Sequence, residues 1–291
     1  MFVDDFDRDD IGANYTSPGR YGDLAGWSGG VIADAVRIAE PGLVRQDNTI
    51  PITPVGDAAY TGAGEFTATD QFVEITLADP LEVRAADPQQ YYNNYAYYGV
   101  FLHAQPLADA SGMWTAFRIW TSYYGPNNPN YTGPPYSDRV YYVDIFIVDA
   151  TGTVHNSSST YYMDYEDLGF FDGEDALPAG TKLRLEHVVD TYYAYVHNPK
   201  TGMWTLVQTL ANNDVPPATD GYPGFLVSSY GIGYPDNELA SAAIKQFRCG
   251  HTVDNDTFLT TNTLTGHANT ARAATRGLTR NVAQAANALI R

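Results

Sequence analysis

Apolar and polar residues alternate in short segments through the first 250 positions, and clusters of Gly, Pro, Asn and Asp separate these segments. Alternation with a period of two is typical of a β-strand with one buried face. Residues 72–77, 113–121 and 182–189 follow it, while residues 139–149 are largely apolar on both faces and predict a central strand. Because no long segment of this region has a helical period, the pattern predicts a nearly all-β domain.

Three closely spaced segments, 179–186, 193–196 and 201–207, predict consecutive antiparallel strands joined by tight turns. In the second turn Pro199 starts the reversal and Gly202 can supply a positive φ angle. Many short antiparallel strands, without helices to cover a parallel sheet, favour two sheets packed face to face. We therefore expect an antiparallel jelly-roll sandwich.

The composition changes sharply near residue 250. Residues 1–250 hold 12 Lys and Arg against 32 Asp and Glu, whereas residues 251–291 hold four Arg and two Asp. Every Tyr and every Pro also lies in the first region. The sequence therefore predicts a sandwich domain over 1–250, an Asp-, Asn- and Thr-rich linker over 251–263, and a C-terminal extended or helical tail over 264–291.

In the C-terminal tail, small and apolar residues recur at alternating intervals of four and three, which predicts a thin heptad seam. Gly and other small residues weaken such a helix, so we expect it to form only when it docks on a partner. A frayed polar tail is the alternative. If the helix forms, it predicts a homo-oligomer, with a trimer favoured. The candidate oligomerisation or attachment residues are Leu264, Arg272, Arg276, Leu278, Arg280, Val282 and Leu289.

The chain is strongly acidic, with 34 Asp and Glu against 16 Lys and Arg and a formal charge of −18. This charge opposes attraction to nucleic-acid phosphates and to an anionic membrane surface. No apolar run approaches the roughly 20 residues of a membrane-spanning helix, so we expect neither nucleic-acid binding nor membrane insertion. The opening residues also lack the basic and apolar regions of a secretory signal, which favours folding in the cytoplasm.

Tyrosine is in excess, with 23 residues, and it concentrates in two segments, 89–98 and 122–136. Their Tyr, Asn, Gly and Ser content is typical of recognition loops, because Tyr offers a flat apolar ring and a hydroxyl group at little rotamer cost. Such loops suit sugar rings or another protein. Tyrosines that merely pack loops and outer sheet faces are the alternative. The candidate glycan or partner contacts are Tyr91, Tyr92, Tyr95, Tyr97, Tyr98, Tyr123, Tyr124, Tyr131 and Tyr136.

Candidate catalytic chemistry is weak. Glycan hydrolysis needs two carboxylates at a fixed separation, but the alternating Glu-x-Asp-x-Glu pattern is missing from the sequence, and Asp144 and Asp149 are spaced to face opposite sides of a strand. The six histidines are scattered without a spacing that chelates zinc. We expect no catalytic residue and no resident metal or cofactor.

Calcium is the one ion that the acidic clusters suggest, since it prefers several oxygen ligands from a flexible loop. Neither cluster matches an EF-hand loop, and solvated acidic loops are the favoured interpretation. In the first cluster Phe2 and Phe6 can point inward while the Asp residues face water. The clusters are Asp4, Asp5, Asp7, Asp9 and Asp10, and Asp164, Glu166, Asp167, Asp172, Glu174 and Asp175.

The opening run Asp-Asp-Phe-Asp-Arg-Asp-Asp-Ile-Gly-Ala-Asn-Tyr-Thr, residues 4–16, resembles the start of concanavalin-like (laminin-G-like) jelly-roll domains in minor tail proteins of actinobacterial bacteriophages. Tyr15 stands where that motif usually has Trp. The three-strand segment, Gly224-Phe225 and residues 243–248 are similar to the later half of the same domain, whose last strand pairs back near the N-terminus.

The resemblance implies a structural virion protein of a phage tail, assembled in the host cytoplasm, with other tail proteins as partners. It also implies a lectin-like domain displayed for attachment to a host cell-wall glycan. A head decoration protein and a purely architectural tail-tip component are the alternatives, and a glycan hydrolase is a further, less favoured one.

Overall fold

The strands of the protein come from a computed structural model, which describes residues 1–16, 36–46, 56–62, 70–78, 82–83, 94–104, 114–123, 139–148, 154–162, 177–211, 221–231, 240–241 and 243–252. In chain order they are β1 (Phe2–Asp4), β2 (Tyr15–Thr16), β3 (Val36–Glu40), β4 (Leu43–Gln46), β5 (Gly56–Tyr60), β6 (Gln71–Leu77), β7 (Glu82–Val83), β8 (Asn94–Ala104), β9 (Trp114–Tyr123), β10 (Arg139–Val148), β11 (Val154–Tyr162), β12 (Lys182–Val188), β13 (Thr191–His197), β14 (Trp204–Ala211), β15 (Tyr222–Gly231), β16 (Ala240–Ser241) and β17 (Ala243–His251).

The strands form two large antiparallel sheets. Sheet A has eight strands in the order β14-β13-β12-β6-β17-β4-β3, with β1 also paired to β17. Sheet B has seven strands in the order β11-β10-β9-β8-β15-β5-β2, and β7 pairs with β16 separately. The predicted antiparallel, concanavalin-like jelly-roll sandwich is confirmed, as are the consecutive strands β12, β13 and β14 and the return of β17 to β1.

The core lies between the two sheets and is built from alternate residues of each strand. Val73, Ile75 and Leu77 of β6 face Val143 and other apolar residues of sheet B. At one edge the sheets are joined by polar contacts between β11 and β14, where Asn156 Nδ2 donates to the Ala211 carbonyl oxygen at 2.9 Å. Such contacts cover strand edges that would otherwise offer free hydrogen-bonding groups.

The opening motif is held in place by a buried carboxylate. Asp4 accepts two hydrogen bonds from the guanidinium of Arg8 at 2.7 Å, one from the Tyr15 hydroxyl at 2.7 Å, and one from the Phe6 amide at 2.8 Å. The expectation that the Asp residues of this cluster face water is therefore wrong for Asp4, because the turn that buries Phe6, with a φ of 57°, also turns Asp4 inward. A Trp at position 15 could make a similar bond through its indole N–H.

Several predictions fall on parts of the chain outside the described residues. They include the linker after residue 252, the heptad seam, and the second acidic cluster at 164–175. Within the described ranges, no helix is both long and apolar enough to span a membrane.

Candidate functional site

Four aromatic residues lie side by side across sheet B. Tyr161 of β11 is the Cα partner of Tyr142 of β10, Tyr142 also partners Trp120 of β9, and Trp120 partners Tyr97 of β8. Val143, which follows Tyr142 in the strand, belongs to the core. Strand alternation therefore assigns all four positions to the outer face of sheet B. We call these four residues the aromatic row.

An ion pair occupies the next register position on the same face. Arg118 and Asp144 are Cα partners, and Arg118 Nε donates to Asp144 Oδ2 at 2.8 Å. The Arg118 guanidinium also lies over the ring of Phe146, 5.4 Å from its centroid. The two charged side chains keep 24% and 10% of their surface exposed. The pair therefore places a partly exposed guanidinium and a buried carboxylate two residues along each strand from the aromatic row.

Beyond the ion pair, the outer face of sheet B becomes apolar and buried. Phe101 and Trp114 meet edge to face with ring centroids 5.5 Å apart, and the cluster is completed by Ala104, Ala116, Phe146 and Leu226. All six residues are buried. The face is thus divided between a buried apolar end and the end that carries the aromatic row.

The structure separates the tyrosines that the sequence had grouped together. Tyr95 and Tyr97 alternate with Tyr98 along β8 and share the outer face, because Tyr98 belongs to the core. Tyr123 is the last residue of β9 and the Cα partner of Asn94. The remaining candidates lie outside the described residues; they are Tyr91, Tyr92, Tyr124, Tyr131 and Tyr136.

The prediction that Tyr98 contacts a ligand is wrong. Its side chain is fully buried, and its hydroxyl accepts from the Ala243 amide at 2.7 Å and donates to the Ala243 carbonyl at 3.1 Å. The physical reason is that residues 94–98, predicted as part of a loop, lie in β8, where alternation turns Tyr98 toward the core. Tyr98 ties sheet B to β17 of sheet A.

Sequence reasoning missed two members of the aromatic row, Trp120 and Tyr142. Trp120 and Tyr142 belong to segments that were correctly predicted as strands, so the alternation already assigned each of them a face. The signal that was lacking is the register between strands, which brings four such residues together.

The outer face of sheet A carries a network of charged residues instead. Arg184 donates from Nε to Glu186 Oε1 at 2.6 Å and from Nη1 to Glu74 Oε2 at 3.3 Å. Glu74 also accepts from Lys182 Nζ at 3.3 Å and from Arg248 Nη1 at 3.1 Å. Both Arg184 and Glu74 are fully buried. Glu74 lies on the face of β6 opposite Val73, Ile75 and Leu77, where three cations from β12 and β17 enclose it. We call Glu74, Glu186, Lys182, Arg184 and Arg248 the charged network.

The charged network has the wrong electrostatics for acid catalysis. Burial acts to raise the pKa of Glu74, but the charges of Arg184, Lys182 and Arg248 outweigh it and hold that pKa below its ordinary value. A general acid of a glycosidase needs a raised pKa instead. Glu74 is thus an ionised partner for three cations, and its chemistry is that of a structural anion.

Two histidines that are far apart in the sequence meet in the core. His103 Nε2 and His187 Nδ1 are 3.0 Å apart, and both side chains are fully buried. Their separation of 84 positions gave no sign of this contact in the sequence. Across the described part of the chain, no group of three or more His, Cys, Asp or Glu residues is placed to hold a metal ion.

Comparisons with known proteins give structural likeness alone. No family model matches the chain, and no curated protein matches its sequence. Lectin II from Ulex europaeus is 12% identical, with 85% of this chain and 96% of that chain covered and a TM-score of 0.41. The Ca2+/Man-bound exoplasmic/lumenal domain of VIP36 is 11% identical, over 75% and 80%, with a TM-score of 0.40.

SCLam, a non-specific endo-β-1,3(4)-glucanase from family GH16, is 10% identical, with 86% of this chain and 89% of that chain covered and a TM-score of 0.45. These likenesses are too weak to assign a ligand or a reaction to this chain. What the candidate site can do is therefore argued from its own residues.

Proposed function

We propose that the sandwich domain binds carbohydrate through the aromatic row on the outer face of sheet B. The observation that carries the proposal is the register that aligns Tyr161, Tyr142, Trp120 and Tyr97 on four adjacent strands. Tyr and Trp combine an apolar ring with a polar group. This combination suits a pyranose, whose ring has apolar C–H faces and a polar rim of hydroxyl groups.

The row is long enough for more than one sugar ring. Neighbouring strands lie about 4.8 Å apart, so three intervals between four strands span about 14 Å. A ligand aligned with the row crosses the strands, which favours an extended glycan chain over a single terminal sugar. Arg118 and Asp144 lie two residues further along each strand on the same face, and they supply donors and acceptors for sugar hydroxyl groups.

The experiment that tests the proposal is binding of the full chain to polysaccharides. The probes are soluble glucan, xylan and mannan in affinity gels, and purified actinobacterial cell walls in pull-downs. We expect Trp120→Ala and Tyr142→Ala each to weaken binding at least tenfold, because each removes an aromatic ring on which a sugar can stack. Strand alternation assigns both positions to the face opposite the core, so we expect little change in stability. The matched control is Tyr193→Ala, on the outer face of sheet A.

Binding that survives both row substitutions would overturn the proposed site, and the lack of binding to every probe would overturn the proposed function. Thermal unfolding of each variant shows whether a loss of binding comes from loss of the fold.

We propose binding without hydrolysis. The support is the charged network, in which Glu74 and Glu186 share the guanidinium of Arg184. The neighbouring cations hold the pKa of Glu74 below its ordinary value, so this carboxylate has no proton to donate to a leaving group. The release of reducing sugar from the same polysaccharides, abolished by Glu74→Gln, would contradict this proposal.

The finer proposal is that this domain belongs to a phage tail and attaches the particle to a host cell-wall glycan. Its support is the resemblance of residues 4–16, whose Asp4, Phe6 and Tyr15 make the contacts that hold the start of the domain. Labelling of intact particles with an antibody against the chain tests it. We expect label on the tail, whereas label on the head would support a decoration protein. Particles without label would contradict the assignment to a virion.

A further inference from the structure

The two sheets are bridged at one end by the buried pair of His103, near the end of β8 in sheet B, and His187 in β12 of sheet A. The ring centroids are 5.0 Å apart with an interplanar angle of 87°, and Nε2 of His103 lies 3.0 Å from Nδ1 of His187. Tyr192 of β13 stacks on His187 at 4.1 Å and 11°. Tyr192 also lies 6.1 Å from the His103 ring, so one ring of sheet A packs against both members of the pair.

The number of protons that this contact can hold is limited. One of the two facing nitrogens must donate a hydrogen and the other must accept it. A second imidazolium would place an N–H on both facing nitrogens, and two hydrogens cannot share a gap of 3.0 Å. The pair in this geometry thus carries at most one positive charge, whereas two unfolded histidines both become charged below about pH 6.5.

Among the described residues, the side chains nearest to the pair along these strands are uncharged at neutral pH. Burial raises the pKa of Tyr192 to about 12, so this phenol is neutral at physiological and acidic pH. Gln71 of β6 is the Cα partner of His187 and carries no charge. The titratable groups next along these strands are Asp70, whose carboxylate accepts from the Val189 amide, and His251, the partner of Gln71; both are partly exposed.

The backbone at the same place is under strain. His103 has a φ of 64°, in the left-handed region that non-glycine residues seldom adopt. Gly221 packs directly against it, since a Cβ at position 221 would lie 2.6 Å from the His103 carbonyl carbon. This conformation persists only while the surrounding contacts hold it.

We infer that the His103–His187 pair is an acid-sensitive latch, which closes this end of the sandwich at neutral pH and opens when both rings become protonated. The inference goes beyond carbohydrate binding and does not depend on it. Because the unfolded chain takes up one proton more than the latched pair, the folding equilibrium constant falls about tenfold for each pH unit well below 6.5.

The first test is the protonation state of the two rings in the folded full-length chain. Two-bond 15N–1H NMR of the imidazoles between pH 7.5 and pH 5 distinguishes the tautomers and the imidazolium form. We expect complementary tautomers with one nitrogen protonated across the contact. Folded protein at pH 5 in which both rings are imidazolium with unchanged chemical shifts for Tyr192 would overturn the latch.

The second test measures stability against pH, with urea unfolding at intervals from pH 7.5 to pH 5. His197 is replaced by Gln in every protein, because burial lowers its pKa and it would add its own pH dependence. We expect the folding constant to drop about 30-fold over this range when the pair is present. The variant His103→Asn/His187→Asn keeps side chains that can hydrogen-bond but cannot titrate in this range.

In that double variant we expect most of the 30-fold drop to disappear, and an equal drop in both proteins would contradict the latch. Asn also tolerates the left-handed backbone at position 103. If the double variant does not fold, the NMR titration of the parent protein decides alone, since it requires no substitution in the pair.

Discussion

The outer faces of the two sheets differ in the residues they carry and in how their charged groups are paired. On sheet A the charged network compensates Glu74 and Glu186 with cations from neighbouring strands. On sheet B the aromatic row lies two residues along each strand from the ion pair of the partly exposed Arg118 and the buried Asp144. A face whose charges are matched within the chain serves stability, while the row of aromatic positions on sheet B is the surface that we propose binds a ligand.

The largest effect should come from breaking the charged network at its centre. Arg184→Leu leaves Glu74 and Glu186 buried without their shared partner, and we expect a loss of about 3–5 kcal/mol of unfolding free energy. Urea unfolding measures it. The double variant Arg184→Leu/Glu74→Leu should recover part of this loss, because it also removes the fully buried carboxylate that has lost one of its three cations. A loss below about 1 kcal/mol in the single variant would contradict a structural role for the network.

On sheet B the corresponding structural test is Gly99→Ala. Gly99 of β8 is the Cα partner of Arg118 of β9. A Cβ there would lie 2.7 Å from Leu226 Cδ1 and 2.9 Å from the Phe117 carbonyl oxygen, which belongs to the backbone and cannot move aside cheaply. We expect a loss of about 1–3 kcal/mol, measured by thermal and urea unfolding. Gly202→Ala has open space around the added methyl group but a φ of 71°, and it separates crowding from backbone strain.

The charged network should also set the response of the protein to acid. The pKa of Glu74 is lowered from its ordinary value of 4.5 in the folded state. The unfolded chain therefore takes up this proton first, and the stability due to Glu74 is complete above about pH 4.5 and is lost as the pH falls toward the folded pKa. The expected slope is about 1.4 kcal/mol for each pH unit.

Unfolding between pH 6 and pH 3 measures this slope, and Arg184→Leu/Glu74→Leu, which lacks the titrating group, is the comparison. Asp4, whose pKa is also lowered, contributes in both proteins and only below about pH 3.8. An equal slope in the two proteins would assign the acid response elsewhere.

The smallest effect on stability should come from the ion pair on sheet B. Arg118→Met keeps an apolar side chain at this position and removes the partly exposed guanidinium that pairs with Asp144, so we expect a loss of about 1 kcal/mol or less. Its effect on polysaccharide binding should be larger in proportion, because the guanidinium lies beside the aromatic row. A large loss of stability with unchanged binding would show that Arg118 stabilises the fold, as Arg184 does, and takes no part in binding.

Local pattern located six of the described strands, namely β6, β9, β10, β12, β13 and β14. The segment at 139–149 was predicted as a central strand, and β10 does lie between β9 and β11. The candidate site was predicted less well, because the tyrosines were taken as loop residues. Tyr98 is a core residue, and the row depends on Trp120 and Tyr142, which no local feature had singled out.

What the sequence by itself determined is the period of two, the turns, the acidic charge and the jelly-roll class, since each depends on residues close together along the chain. What only the tertiary structure decided is which distant residues meet. Glu74 finds Arg184 and Arg248 at separations of 110 and 174 positions, and His103 finds His187 at 84. Burial and pairing of polar groups depend on strand register and on the packing of the two sheets. The alternation within a single strand predicts neither the register nor the packing.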